Sequence, residues 1–189
     1  MKNHFFDVGA NIGQTFSDYL NKTNNFDGWD VWCFEPSPRH LPELMQEVQK
    51  WSSRYKIHVC PFGIRGDSGT LTFHQKDDPR GDSFQPYLAS DHETLNLTTG
   101  YDLRVFAAGI IDSIDALTDP KDRIVLKLDC EGSEFSILLK LLKDPIILPR
   151  VVEIFVEFHH IERGGSHVER DAIIKSYAAR GIVLHQWMY

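Results

Sequence analysis

The feature that most limits what this chain can become is its first glycine turn. His4-Phe5-Phe6-Asp7-Val8 is an apolar run, Gly9-Ala10-Asn11-Ile12-Gly13 follows at once, and Thr15-Phe16-Ser17-Asp18-Tyr19-Leu20 then suits a helix. A strand that turns this tightly into a helix lays the helix back over the strand, the opening unit of a doubly wound parallel sheet. Glycines allow a ligand to approach the backbone closely, and the amides at the helix mouth favour negative charge. Glu35 closes the next apolar run, Val31-Trp32-Cys33-Phe34, 22 positions after Gly13. An acidic group about 20 residues beyond such a turn can accept both hydrogens of a ribose diol. Together the two features point to a nucleoside-containing cofactor.

The rest of the chain keeps the alternation of strand and helix. After Pro36-Ser37-Pro38, the residues Leu41, Leu44, Met45 and Val48 recur at helical spacing. Lys56-Ile57-His58-Val59-Cys60 reads as a third strand, ended by Pro61, with Phe62-Gly63-Ile64 as the loop that follows. Arg123-Ile124-Val125-Leu126-Lys127-Leu128-Asp129 predicts a strand, residues 133–142 a helix with Phe135, Leu138, Leu139 and Leu142 on its apolar face, and residues 151–158 a further strand. A helix around 168–179 and a strand at 181–187 complete an α/β chain with a mostly parallel sheet. Residues 69–74 and part of 103–107 alternate at period two, which predicts an antiparallel insertion within a single domain spanning 1–189. The inserted region is placed at 69–108; its polar middle, 77–100, is long for a connection in a compact domain and is expected to be a mobile lid.

Composition excludes several partners. A chain of 189 residues can bury roughly 70% of its unfolded surface and needs no staple. The formal net charge of −7 argues against phosphate backbones and anionic lipid surfaces. No apolar stretch approaches the ~18 residues of a membrane span, and Met1-Lys2-Asn3 leads into structure-forming residues with no signal-peptide plan. Cys33, Cys60 and Cys130 form no C-x-x-C pair and read as reduced thiols. The expectation is a cytoplasmic protein with a small-molecule partner.

Which nucleoside cofactor is meant depends on glycine spacing. G-x-G-x-x-G, the dinucleotide fingerprint, is not matched, because Asn11 stands where its second glycine belongs. D-x-G-x-x-x-G over Asp7 to Gly13 instead matches the variant turn of S-adenosylmethionine-dependent methyltransferases. Four segments then occur in a telling order: Phe6-Asp7-Val8-Gly9-Ala10-Asn11-Ile12-Gly13-Gln14, Phe34-Glu35-Pro36, Lys127-Leu128-Asp129-Cys130-Glu131-Gly132-Ser133-Glu134 and Val156-Glu157-Phe158-His159. In these segments the chain resembles the FkbM-type methyltransferases, most specifically in the third, which is similar to a K-I-D-V-E-G-x-E block. The resemblance covers residues 5 to 160 and fits the final 30 only loosely.

The resemblance implies a Rossmann-like class I methyltransferase fold and methyl transfer from S-adenosylmethionine, typically to a hydroxyl oxygen of a sugar or small polar metabolite. It implies that Asp7, Gly9, Ala10, Asn11, Gly13 and Gln14 surround the methionine end, that Glu35 meets the ribose, that Pro36 also contacts the cofactor, and that Phe62 or Gly63 meets the adenine. Asp129 would lie beside the methyl donor with Glu131 close to it. One departure is that only one convincing strand follows residue 165, so the seventh, antiparallel strand of such folds is expected to be missing.

A methyl carbon on a sulfonium is already electrophilic, so a base of near-neutral pKa is wanted to take the acceptor's proton. His159 and His160 at the end of a strand are the best-placed candidates, with Asp129 and Glu131 next. Clustered carboxylates there could instead raise one another's pKa or hold a Mg²⁺ ion, and the residues leave both open. Glu134 reads as an acid favouring the helix dipole, and Lys127 as a chain that crosses a sheet face to pair with a carboxylate. Two other functions fit the same fold: a non-catalytic member that binds a nucleoside or a partner, and an NAD-dependent oxidoreductase, which Asn11 disfavours.

Overall fold

The computed structural model describes residues 1–22, 28–75, 82, 101–159 and 166–186. Six parallel strands form the main sheet: β1 (Asn3–Val8), β2 (Asp30–Phe34), β3 (Lys56–Cys60), β7 (Arg123–Leu128), β8 (Val151–Val156) and β9 (Val183–Gln186). Their order is β3-β2-β1-β7-β8-β9, so the chain winds outward from β1 in one direction and from β7 in the other. Where the winding reverses, the loops diverge and leave a crevice at the carboxyl ends of β1 and β7.

The sequence forms this sheet because its central strands are apolar on both faces, as a parallel sheet covered on both sides requires. Every residue from His4 to Val8 and from Ile124 to Leu128 is buried. Successive residues serve opposite layers. Phe5 and Val125 join Phe16 of α1 (Gln14–Lys22) and Leu44 of α2 (Leu41–Trp51), whereas Phe6 and Leu126 join the layer of α3 (Ile110–Leu117), α4 (Glu134–Leu142) and α5 (His167–Ala178). Tyr177 of α5 is fully buried and donates its hydroxyl to the Leu138 carbonyl of α4 at 2.9 Å.

A second sheet of three strands, β4 (Gly63–Arg65), β5 (Gly69–Gln75) and β6 (Tyr101–Gly109), has the order β4-β6-β5. β5 and β6 pair antiparallel, while β4 pairs parallel with β6. Gly63 and Ile64 are therefore strand, not the loop expected after residue 60. β6 passes into α3 without a turn; there Ile110 and Ile114 are buried with Ile111 and Leu117 packed beside them, a helical spacing the sequence analysis did not use. Of the expected lid at 77–100, all but Asp82 lies outside the described residues. β9 is parallel, and no antiparallel seventh strand is present among the described residues. No helix among them is long and apolar enough to cross a membrane.

Candidate functional site

The crevice at the switch point is a cleft of about 410 Å³, walled by the ends of β1, β2, β7 and β8 and by β4. Its floor is the first glycine turn. Gly9 has φ +78°, and a side chain there would lie 1.8 Å from the Asp129 carbonyl oxygen, so only glycine lets the ends of β1 and β7 meet. Asn11 takes φ 49°, which asparagine tolerates better than most residues. The amides of Gly9 and Ala10 both donate to the Phe34 carbonyl, at 3.1 and 3.0 Å, tying the turn to β2.

This tie aligns Glu35 with the turn. Its Oε2 accepts from the Asn11 amide at 2.8 Å and its Oε1 from the Ser37 amide at 2.7 Å. The carboxylate is only 4% exposed, yet it stands in the cleft wall beside Pro36. A carboxylate has about four lone-pair sites, so two remain for hydroxyl donors of a ligand. His40, at the start of α2, lines the cleft with its Nδ1 3.4 Å from Glu35 Oε1.

Three residues expected around the cofactor are not on the cleft wall. Asp7 is fully buried beneath the turn, with its Oδ1 3.0 Å from Lys127 Nζ. Lys127 in turn donates to the Gly9 carbonyl at 2.8 Å and lies 3.4 Å from Asp129 Oδ2, so Asp7 acts on the turn through a lysine. Burial alone would drive the Lys127 ammonium down, but Asp7 and Asp129 outweigh it and hold it well above the ordinary lysine value. Burial pushes the Asp7 carboxyl up, against the pull of Lys127. Gly13 packs against Phe16, Leu44 and Glu47. Phe62 lies between Phe34 and Phe106, with ring centroids at 5.7 and 6.2 Å, while Gly63 reaches the cleft in its place.

Gly9, Ala10, Asn11, Gln14, Glu35, Pro36 and Gly63 do line the cleft, as do Asp129, Glu131 and His159 opposite them. The loop after β7 bends through Glu131, φ 56°, and Gly132, φ 109°. It is organised by Glu134, which is fully buried and accepts from the amides of Cys130 at 2.9 Å and Gly132 at 3.0 Å. The same carboxylate meets His159 Nδ1 at 3.0 Å. A carboxylate already holding two amides can only accept, so Nδ1 carries a proton and Nε2 faces the remaining acids. Those are Glu131 at 3.4 Å, Glu157 at 3.6 Å and Asp129 at 3.8 Å.

Burial disfavours the charged imidazole, but the hydrogen bond and charge of Glu134, then Glu131 and Asp129, outweigh it and push His159 up to about 9. A histidine held at about 9 carries its proton at neutral pH, where the sequence leads us to expect a base of near-neutral pKa. Burial and the charge of Asp129 raise Glu157 as well. Asp129 does not cap α4; its carboxylate faces Lys127 and His159 instead. Asp129, Glu131 and His159 each offer a ligand atom within 4.8 Å of the others, a set able to hold a divalent cation.

Sequence reasoning undervalued Glu134 and gave no role in the site to His40 or Glu157. For Glu134 a signal existed: Ser133-Glu134 opens the helix directly after the β7 loop, where an acid can turn back onto loop amides. His160 lies outside the described residues. Asp82 closes one flank, accepting from Ser37 Oγ at 2.9 Å and Arg39 Nε at 3.0 Å.

Two comparisons with known proteins bear on the family and the fold. The model of the FkbM methyltransferase domain matches residues 7–180. The crystal structure of methyltransferase FkbM from Methylobacillus flagellatus KT has a similar fold, with a TM-score of 0.54 and 20% sequence identity over 92% of this chain. That alignment takes in 37% of the other protein, so the chain spans little more than a third of its length. A search of curated proteins found no match. With its family model matched over nearly its whole length, the chain belongs to the FkbM methyltransferase family.

Proposed function

We propose that this member of the FkbM family takes S-adenosylmethionine as methyl donor and methylates a hydroxyl oxygen of a sugar or other small polar acceptor. The observation that carries the reading is the sharing of one cleft by two kinds of site: Glu35, fixed by backbone amides at a glycine turn, and His159, set among carboxylates. S-adenosylmethionine supplies an electrophilic methyl carbon on a sulfonium centre. The chain's own task is to bind the nucleoside, keep the acceptor oxygen in line and take its proton. Glu35 has lone pairs left for ribose hydroxyls, and Asn11 and Gln14 line the wall beside the turn. His159, its Nδ1–H fixed on Glu134, presents Nε2 to the hydroxyl proton once the ring is neutral. A positive charge seated beside Asp129 opposes the imidazolium and lowers His159 from about 9, so a loaded cleft holds more of the working form.

One observation favours a second reading of the acceptor end. Asp129, Glu131 and His159 are close enough to share a divalent cation. The two carboxylates suit Mg²⁺, and the imidazole widens the choice toward Mn²⁺. Such an ion would polarise an acceptor hydroxyl, and because it must displace the His159 proton its affinity would rise with pH. A rate abolished by chelation and restored by added Mg²⁺ would select this version.

The test of the main reading is calorimetric titration with S-adenosylmethionine and S-adenosylhomocysteine, repeated on Glu35→Ala. The expected result is binding by the wild type that weakens about tenfold or more in the variant, the worth of one or two hydrogen bonds to a charged group. Binding of neither compound by a folded protein would favour the non-catalytic member of the fold. Stabilisation by NAD alone would turn the reading toward an oxidoreductase.

A further inference from the structure

His40 occupies a position that helix stability does not account for. It is the residue before α2, where Ser, Thr, Asp or Asn would cap the helix, and its side chain makes no capping bond. The residue is 5% exposed, forms part of the cleft wall, and neither of its ring nitrogens has a hydrogen-bond partner among the described residues. Its Nδ1 stands 3.4 Å from Glu35 Oε1, near enough for charge but not aligned for a hydrogen bond. Buried polar groups are nearly always satisfied, so an exception in a cleft wall calls for an explanation, and a ligand in that cleft supplies one.

Building on the nucleoside reading of the cleft, we infer that His40 completes a diol clamp with Glu35, one of its ring nitrogens bonding the ribose hydroxyl next to the one that Glu35 holds. The geometry allows it. Vicinal hydroxyls of a ribose are neighbours, so a nitrogen 3.4 Å from the carboxylate oxygen is within reach of the second hydroxyl. The outer side-chain torsion of an imidazole is broad, so a change in that angle alone turns a nitrogen toward the cleft without moving the backbone. The residue's backbone is fixed meanwhile: its amide donates to Ser37 and its carbonyl accepts from Leu44. Ser37 is itself the residue whose amide holds Glu35, so one turn presents both halves of the clamp.

The experiment is calorimetric titration of wild type, His40→Leu and His40→Gln with S-adenosylhomocysteine and with its 2′-deoxy and 3′-deoxy analogues. His40→Leu is expected to lose about tenfold in affinity for the full ligand, and His40→Gln, which keeps a donor and an acceptor, to lose less. Against the analogue lacking the hydroxyl that His40 holds, wild type and His40→Leu should bind alike. The empty His40→Leu protein should melt no lower than wild type, since an unsatisfied buried group has been removed; if it does not fold, His40→Gln carries the comparison. An equal loss for all three ligands would reduce His40 to packing, and unchanged affinity would remove it from the site; either overturns the clamp. Failure of the wild type itself to bind S-adenosylhomocysteine would overturn the nucleoside reading and the clamp with it, and is a separate result.

Discussion

The two ends of the cleft are held by different means. At the glycine turn the fixing groups are backbone: Asn11 and Ser37 amides on Glu35, and the Phe34 carbonyl on the turn itself. At the ends of β7 and β8 they are side chains, with Glu134 on one nitrogen of His159 and three further carboxylates around the other. Backbone amides do not titrate, so the donors at this end are the same at every pH. A histidine among acids trades protons with its surroundings and is governed by pH. The division suits a site that binds a constant ligand at one end and moves a proton at the other.

Lys127 is where the two ends join, since its ammonium meets Asp7, Asp129 and the Gly9 carbonyl at once. Lys127→Met is the substitution expected to do most damage. It leaves Asp7 as an uncompensated acid with no exposure, and breaking one side of a buried pair costs about 3–5 kcal/mol. Urea unfolding of the variant should show a loss of that order, partly regained in Lys127→Met with Asp7→Asn, where no buried charge is stranded. A single variant within about 1 kcal/mol of wild type would mean that the two ends are independent and that Lys127 joins nothing.

Glu134→Gln acts on one end alone. It keeps the size of the side chain and an acceptor for the loop amides while removing the largest stabiliser of the imidazolium. His159 should fall from about 9 toward the ordinary histidine value. Only the neutral ring can take the acceptor's proton, so the wild-type kcat/KM should rise with pH through about 9, and in the variant the rise should come at lower pH. Stability has the matching sign. A histidine whose pKa is higher folded than unfolded contributes fully below about 6.5 and loses that contribution as pH climbs through the folded value. Wild type should therefore weaken between these limits by on the order of 3 kcal/mol, and Glu134→Gln by less. Affinity for S-adenosylhomocysteine should stay as it was, because the glycine-turn end is untouched. An unmoved pH profile in the variant would remove His159 from the proton transfer.

The same division explains what could be read from the amino-acid sequence. The glycine-turn end is a matter of local backbone, and local backbone leaves a local signature: the glycine spacing and the position of Glu35 after β2 point to one crevice, which Gly9, Ala10, Asn11 and Glu35 line. The sheet is legible for a similar reason, since residues 4–8 and 124–128 are mostly apolar and bury residues on both faces. Asp7 and Glu134 were misjudged because an acid beside a turn and an acid in a first helical turn each have two geometries open to them, one toward solvent or ligand and one inward. Which is taken depends on Lys127, 120 positions from Asp7, and on His159, 25 positions from Glu134. β4 carries almost no signal because a three-residue strand has no periodicity of its own, whereas α3 has the spacing of Ile110, Ile111, Ile114 and Leu117 but runs on from β6 with no turn to mark its start.

The smallest effect tests whether hydrogen bonding or mere charge fixes His159. Glu157 Oε1 lies 3.6 Å from Nε2, beyond a hydrogen bond, and its side chain is 31% exposed where that of Glu134 is not exposed at all. Water and salt screen a charge so placed, and half-exposed ion pairs are worth little. Glu157→Gln should consequently move the pH profile in the same direction as Glu134→Gln but by a smaller amount, and raising the ionic strength should shrink the shift further. Cofactor affinity should hold within about twofold, as the residue stands at the far end from Glu35. If Glu157→Gln instead matches or exceeds Glu134→Gln, the imidazolium is set by the number of acids around it, and the Glu134 hydrogen bond is not what distinguishes this end of the cleft from the other.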